Sequence, residues 1–299
     1  MKFRRVMTDD VVTTEVLRDG GWQTAAPPLG PPPFSAEWEL ATARRHLQQT
    51  SALLPFTPLS FRDCLLSETH NVDAARGMIN AFYPGTARIT NTFEKLTRRT
   101  FPGFLPKKLF YRQPIYYMSN ALTIVPTGTP MSFPSYTTAL DFELEVGFVL
   151  DKPLRDATEA QARDAIGAFV LLNDFSARDV QRDEMNTGLG PQKSKHFLTS
   201  LSDTAVTADE ILPRLGELTG SVTINGDTVS TVDYSGLQWT AEQALMHFSR
   251  DEQLLPGELI GLGTLAGGSG METGRWLQPG DALRLELDGI GVIEHRITG

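Results

Sequence analysis

Cysteine is almost absent: Cys64 is the only one in 299 residues. A single thiol excludes an intramolecular disulfide and a zinc site built on cysteines. It fits a reducing compartment. No run of about 18 apolar residues occurs, so no helix of membrane-spanning length is expected. Basic residues are in deficit, 27 Lys and Arg against 36 Asp and Glu, giving a net charge of −9 and a pI of about 5.1. They cluster only in pairs such as Lys107 and Lys108, so no surface for nucleic acid or an anionic membrane is expected. The first ten residues carry positive charge with no apolar stretch behind them, which speaks against a secretory leader and for the cytoplasm. Internal repeats and low-complexity tracts are missing as well. What remains is an ordinary globular composition, 40% hydrophobic and 21% charged, long enough to bury a real core.

The chain divides near residue 55. Lys2–Val6 and Val11–Leu17 read as strands, with a turn at Asp19–Gly21. Pro27–Pro33 is a stiff linker, and Glu37–Ser51 reads as a helix with Ser35 as its N-cap. Residues 1–55 are therefore expected as a small N-terminal lobe, and 56–299 as the main domain. The latter is strand-rich. Asn225-Gly226 marks a hairpin within Ser221–Ser230, and Asp288–Gly291 turns a second within Ala282–Ile297. Capping-box patterns at Thr158…Gln161 and Thr240…Gln243 open short helices. Helices are expected to be few and short. Regular crossover helices are lacking, which excludes a doubly wound α/β fold and favours an α+β, barrel-like or rolled mixed β core.

Two acids dominate the chemistry. Glu143 and Glu145 lie in Ala139–Leu150, where Phe142, Leu144, Val146 and Phe148 alternate with them as in a strand. Residues i and i+2 face one side, about 7 Å apart. Two carboxylates on a half-buried face repel and lose hydration, and a hard cation relieves both penalties. The alternative is a solvated face on an edge strand. A second segment favours the cation: the apolar run from Phe169 ends in Asn173-Asp174, delivering an acid to a strand end. A third, Phe61–His70, brings Asp63, Glu68 and His70 close in sequence. His70 is a candidate general base or a structural histidine. His46 is expected on a helix surface, and His295 on the terminal hairpin. Cys64 has no activating neighbour and reads as a buried filler. Gly261–Ala266 fits the G-x-G-x-x-A dinucleotide pattern, but no helix and second strand follow, so a nucleotide site is rejected. Gly267–Gly270 is read as backbone that approaches a ligand closely.

Taken in order, these blocks resemble the fumarylacetoacetase (fumarylacetoacetate hydrolase) family over roughly residues 60–299. They are Arg62-Asp63 with His70, Pro114–Tyr117, Asp141–Val146, Asn173–Gln181, Leu189–Phe197 with its Gly190-Pro191 and Lys195, and Ile260–Thr264. The resemblance implies a mixed β-roll catalytic domain, a homodimer, and one divalent cation, Mg²⁺ before Mn²⁺ or Ca²⁺. It implies Asp63, Glu143, Glu145 and Asp174 as metal ligands and His70 as the base that activates water. Glu272 or Glu68 would orient His70; Arg178, Gln181 and Lys195 would stabilise developing negative charge; Tyr117 and Thr264 would contact a small-molecule substrate. The implied reaction is hydrolysis of a carbon–carbon bond in a 1,3-dicarbonyl compound. Enolate-type decarboxylation, hydration or isomerisation on the same site, and a non-catalytic binding role, are the alternatives. Two positions depart from the pattern. Ile79 stands where an arginine would hold a substrate carboxylate, with Arg76 nearest, and Met185 replaces a substrate-contacting tyrosine. A less polar or larger dicarbonyl substrate is expected.

Overall fold

A computed structural model describes all 299 residues. Its centre is a ten-stranded sheet. Along it lie Gly21–Ala25, Val11–Arg18, Lys2–Thr8, Thr199–Thr207, Ile166–Asp174, Glu143–Leu150, Glu258–Ser269, Ser60–Cys64 and Tyr116–Ser119, with Ile124–Pro126 added on Thr199–Thr207. A second sheet of five strands is built from the two hairpins read in the sequence plus Met131–Ser132. Asn225 (φ 57°) and Gly226 (φ 90°) turn the first hairpin, the left-handed pair that a type I′ turn needs. The fold is thus α+β and strand-rich, as expected.

One apolar cluster joins the two sheets, with Leu144, Val146 and Phe148 from the large sheet meeting Leu283, Leu285 and Ile293 from the small one. A second cluster covers the opposite face with Phe3, Leu54 and Phe56 over Val149, Val170 and Leu172. This corrects the half-buried face read for Glu143 and Glu145. All eight residues of Glu143–Leu150 are buried, because the N-terminal segment packs over the acids' own side of the sheet. Residues 1–55, read as a small lobe, join the large sheet through the Lys2–Thr8 pairing with Thr199–Thr207.

Helices are longer than the sequence reading allowed. Glu68–Phe82 and Pro84–Thr97 run 15 and 14 residues. Each buries only two residues, His70 and Ala74 in the first and Ala87 and Thr90 in the second; Ser67 caps the first through its hydroxyl and Pro84 opens the second. Both capping boxes form, at Thr158 and Thr240. His46, expected on a helix surface, is 5% exposed, because Glu39, Thr42, Ala43 and His46 share the buried face of Ala36–Leu47. The rejected dinucleotide pattern lies inside the strand Glu258–Ser269. No helix is long and apolar enough to cross a membrane.

Candidate metal centre and active site

Three strands of the large sheet carry the acids. Asp174 ends Ile166–Asp174, Glu143 and Glu145 open Glu143–Leu150, and Asp63 lies on Ser60–Cys64. Between the last two runs Glu258–Ser269, with Gly261 level with Asp63 on one side and Gly147 on the other. A Cβ at Gly261 would stand 2.5 Å from Asp63 Oδ1 and 3.1 Å from Glu145 Oε2. Its bare backbone lets two carboxylates meet across an intervening strand. Oxygens of Asp63, Glu145 and Asp174 then all lie within 4.8 Å of one another, fully buried.

The electrostatics of this trio are unbalanced. Burial, then Asp174, pushes the Asp63 carboxyl well above its usual range. Burial, then Asp63, Glu143 and Asp174, does the same to Glu145. Asp63 Oδ1 and Glu145 Oε2 are buried without a hydrogen-bond partner. Orphaned buried oxygens on converging carboxylates are what a hard divalent cation satisfies, so the donor set fits such an ion. Glu143 stands apart from the trio. Its Oε1 accepts from Arg178 Nη2 at 2.7 Å, and its Oε2 is held by the Lys195 ammonium. Burial alone would raise its pKa, but Arg178 and Lys195 outweigh it and hold the group far below its ordinary value.

Lys195 bridges the acids, bonding Asp174 Oδ2 at 2.6 Å as well as Glu143. Burial pulls the ammonium down, but Asp174 and Glu143 more than restore it, and it is held charged. Tyr117 donates to Asp174 Oδ2 at 2.7 Å, and Thr264 to Glu145 Oε1 at 3.2 Å. Arg178 is 1% exposed and spends its donors on Asp141, Glu143 and Gln181. It therefore grips protein groups. By taking Gln181 Oε1 it leaves the Gln181 amide nitrogen as a free donor.

His70 sits in the first turn of Glu68–Phe82, its backbone N–H bonded to the Ser67 hydroxyl. Nδ1 lies 3.0 Å from Glu272 Oε2, an oblique contact with no in-line partner. Burial lifts the Glu272 carboxyl, but His70, the Gly267 N–H and Ser269 pull harder and hold it below its ordinary value. Glu68 instead neighbours Tyr111. Direct contacts thus join Asp63, Glu143, Glu145, Asp174, Lys195, Tyr117, Thr264 and Arg178, while Gln181 attaches through Arg178 and Glu272 pairs with His70. Sequence reasoning passed over Asp141 and Gly261. The spacing Asp141, Glu143, Glu145 was itself a signal, since all three share strand parity.

A cavity of about 630 Å³ lies elsewhere, between the N-terminal hairpin, the proline-rich segment and Ala36–Leu47, lined in part by Phe3, Leu40 and Phe56. None of the clustered acids reaches it.

A sequence profile described as "Fumarylacetoacetate (FAA) hydrolase C-terminal" matches residues 96–298. The chain belongs to this family. Asp63 and His70 precede the matched range. Among curated relatives of this family member, the human mitochondrial oxaloacetate tautomerase FAHD1 is 30% identical over 155 residues, 52% of this chain and 70% of its own. A 4-hydroxyphenylacetate degradation bifunctional isomerase/decarboxylase from Escherichia coli is 25% identical over 87% of this chain and 65% of its own. Solved structures share the fold. A fumarylacetoacetate hydrolase from Exiguobacterium antarcticum superposes with a TM-score of 0.71 at 18% identity, covering 100% of this chain and 99% of that one. A fumarylpyruvate hydrolase from Pseudomonas aeruginosa, in complex with Mn²⁺ and pyruvate, gives 0.58 at 18% identity, covering 82% and 98%.

Proposed function

We propose that this family member is a divalent-metal-dependent hydrolase that cleaves a carbon–carbon bond in a 1,3-dicarbonyl substrate. The observation that carries the reading is the buried His70–Glu272 pair beside a carboxylate cluster with orphaned oxygens. Asp63, Glu145 and Asp174 would hold the cation, with Glu143 joining them on release from Lys195. A cation bound there supplies Lewis-acid polarisation of a substrate carbonyl. Glu272 accepts from His70 Nδ1–H and leaves Nε2 to take a proton from water. The water oxygen bonds to the carbonyl carbon. The adjacent carbon–carbon bond then breaks, its electron pair leaving on the neighbouring carbon, which receives the proton from His70. The Lys195 ammonium and the Gln181 amide face the negative charge that develops. Arg178 acts by holding Gln181 and Glu143 in place.

Arg76 bonds Glu94 at 2.9 and 3.1 Å and also pairs with Asp73, so its charge is already matched. Ile79 and Met185 add none. This supports a substrate whose far end carries no carboxylate in need of a clamp. A homodimer in the cytoplasm, using Mg²⁺ before Mn²⁺ or Ca²⁺, completes the reading.

A second reading has its own support. Tautomerisation or decarboxylation of a 2-oxo acid needs the same Lewis acid and a proton-transferring His70 but no attacking water. The names of the human and Escherichia coli relatives favour it. Protein with Mg²⁺ or Mn²⁺, given acetylpyruvate and oxaloacetate in H₂¹⁸O, separates the two. Label in a carboxylate product supports hydrolysis, and tautomer exchange or CO₂ release without a labelled carboxylate supports the second reading. No turnover together with no metal uptake at millimolar concentration would point to a non-catalytic binding protein.

A further inference from the structure

Asp141 is fully buried and belongs to none of the roles assigned above. It lies on the short strand Leu140–Asp141, which pairs with Ser176–Ala177 just ahead of Arg178. Its carboxylate receives four donors. Oδ1 accepts from Gly270 N at 2.7 Å and from Phe142 N at 2.8 Å; Oδ2 accepts from Arg178 Nε at 2.7 Å and Met271 N at 3.0 Å. Every contact is a donor, so no acceptor remains for an acid proton.

Two of these donors matter most. Gly270 and Met271 open the single helical turn Gly270–Thr273, and the next residue is Glu272. Arg178 carries Gln181 on Nη1 and Glu143 on Nη2. One carboxylate therefore fixes the turn that aims Glu272 at His70 and the guanidinium that aims Gln181 and Glu143. Gly270 fits so closely that a Cβ would lie 2.4 Å from Asp141 Oδ1 and 2.3 Å from the Arg275 carbonyl oxygen.

We propose that Asp141 is a positioning residue that locks the His70–Glu272 pair to the Arg178–Gln181 pair, so that the proton-handling and charge-stabilising halves of the site keep one geometry. This rests on the reading of His70 as the base only for its kinetic consequence; the geometric consequence stands by itself. Asp141→Asn puts an NH₂ where all four neighbours are donors, so the turn or the guanidinium must move. Gly270→Ala displaces the same turn from its other side and leaves the charge of Asp141 intact.

The test uses full-length protein labelled with ¹⁵N-histidine. The His70 ring signals, identified by their loss in His70→Gln, report its tautomer. With Glu272 Oε2 3.0 Å from Nδ1, the proton of the native chain is expected on Nδ1. We expect both variants to lose that single-tautomer signature while still taking up Mn²⁺ through Asp63, Glu145 and Asp174. With oxaloacetate or acetylpyruvate, whichever is turned over, kcat should fall roughly 30- to 100-fold with little change in KM, as for a misplacement of about 1 Å. A His70 spectrum unchanged in folded Asp141→Asn or Gly270→Ala overturns the proposal. Should Asp141→Asn fail to fold, Gly270→Ala decides it. If the spectrum shifts but His70→Gln keeps full turnover, the base assignment has failed and the positioning role stands.

Discussion

Replacing Glu145 with glutamine should make the metal-free protein more stable. Glu145 has oxygens within 4.8 Å of both Asp63 and Asp174. At an effective dielectric constant near 20, two unit charges at that distance repel by ~3.5 kcal/mol. Lys195 offsets part of this at Asp174, and proton uptake relieves more, as the raised pKa values of Asp63 and Glu145 indicate. We therefore expect a net gain of ~2 kcal/mol on removing the charge, with the new amide donating to the orphaned Asp63 Oδ1. Unfolding entropy near 2.1 cal/mol/K per residue turns this into a Tm rise of ~3 °C for a chain of this length. Cation binding reverses the order. At a hundredfold excess over Kd the native protein gains ~2.7 kcal/mol, which the variant largely forfeits. The pH dependence has a definite sign. A carboxyl whose folded pKa lies above its unfolded value binds more protons when folded, so metal-free stability falls as pH rises above the ordinary carboxyl range. Glu145→Gln should flatten that fall. Calorimetry after chelation, then with added Mn²⁺, reads all three effects. If the metal-free variant melts below the native chain yet still gains fully from Mn²⁺, the account of this cluster is wrong.

Gly261→Ala should cost at least tenfold in Mn²⁺ affinity by isothermal titration, since its Cβ meets Asp63 and Glu145 and a ~1–3 kcal/mol overpacking penalty must be absorbed there. His70→Gln should lower kcat by about 10²–10⁴-fold with metal affinity unchanged; full activity would sink the base assignment. His295 is buried, and burial pushes its imidazole down to about 4. Its unfolded value is about 6.5, so stability should drop by up to ~3 kcal/mol as pH falls from about 6.5 to 4. His295→Gln, which can still donate to the Thr129 carbonyl, should remove that part of the acid limb in urea titrations, and an unchanged limb refutes it.

Local chemistry made part of the molecule legible in the sequence. Asn225-Gly226, the two capping boxes and the strand ending in Asn173-Asp174 all state their geometry within a few residues. So did the parity of Glu143 and Glu145. The burial of their face did not, because its cover comes from Phe3, Leu54 and Phe56, far away in the chain. The helices Glu68–Phe82 and Pro84–Thr97 escaped for a different reason. Their sequences mix Gly, Thr and Asn, weak helix formers, among the apolar residues, which masks the helical period. Gly261 was set aside with a false nucleotide motif, though its missing side chain is what lets Asp63 reach Glu145. Close approach across a strand leaves no trace in spacing.

Asp63 reaches the cluster on Ser60–Cys64, which runs parallel to Glu258–Ser269. Those partners are separated by nearly two hundred positions of chain. During synthesis the nascent polypeptide can expose Asp63, Glu145 and Asp174 long before the strand that brings them together has left the ribosome. Cation capture is thereby tied to completion of the chain, and long-range pairing of this kind closes slowly. Truncation before residue 258 should abolish cation uptake altogether.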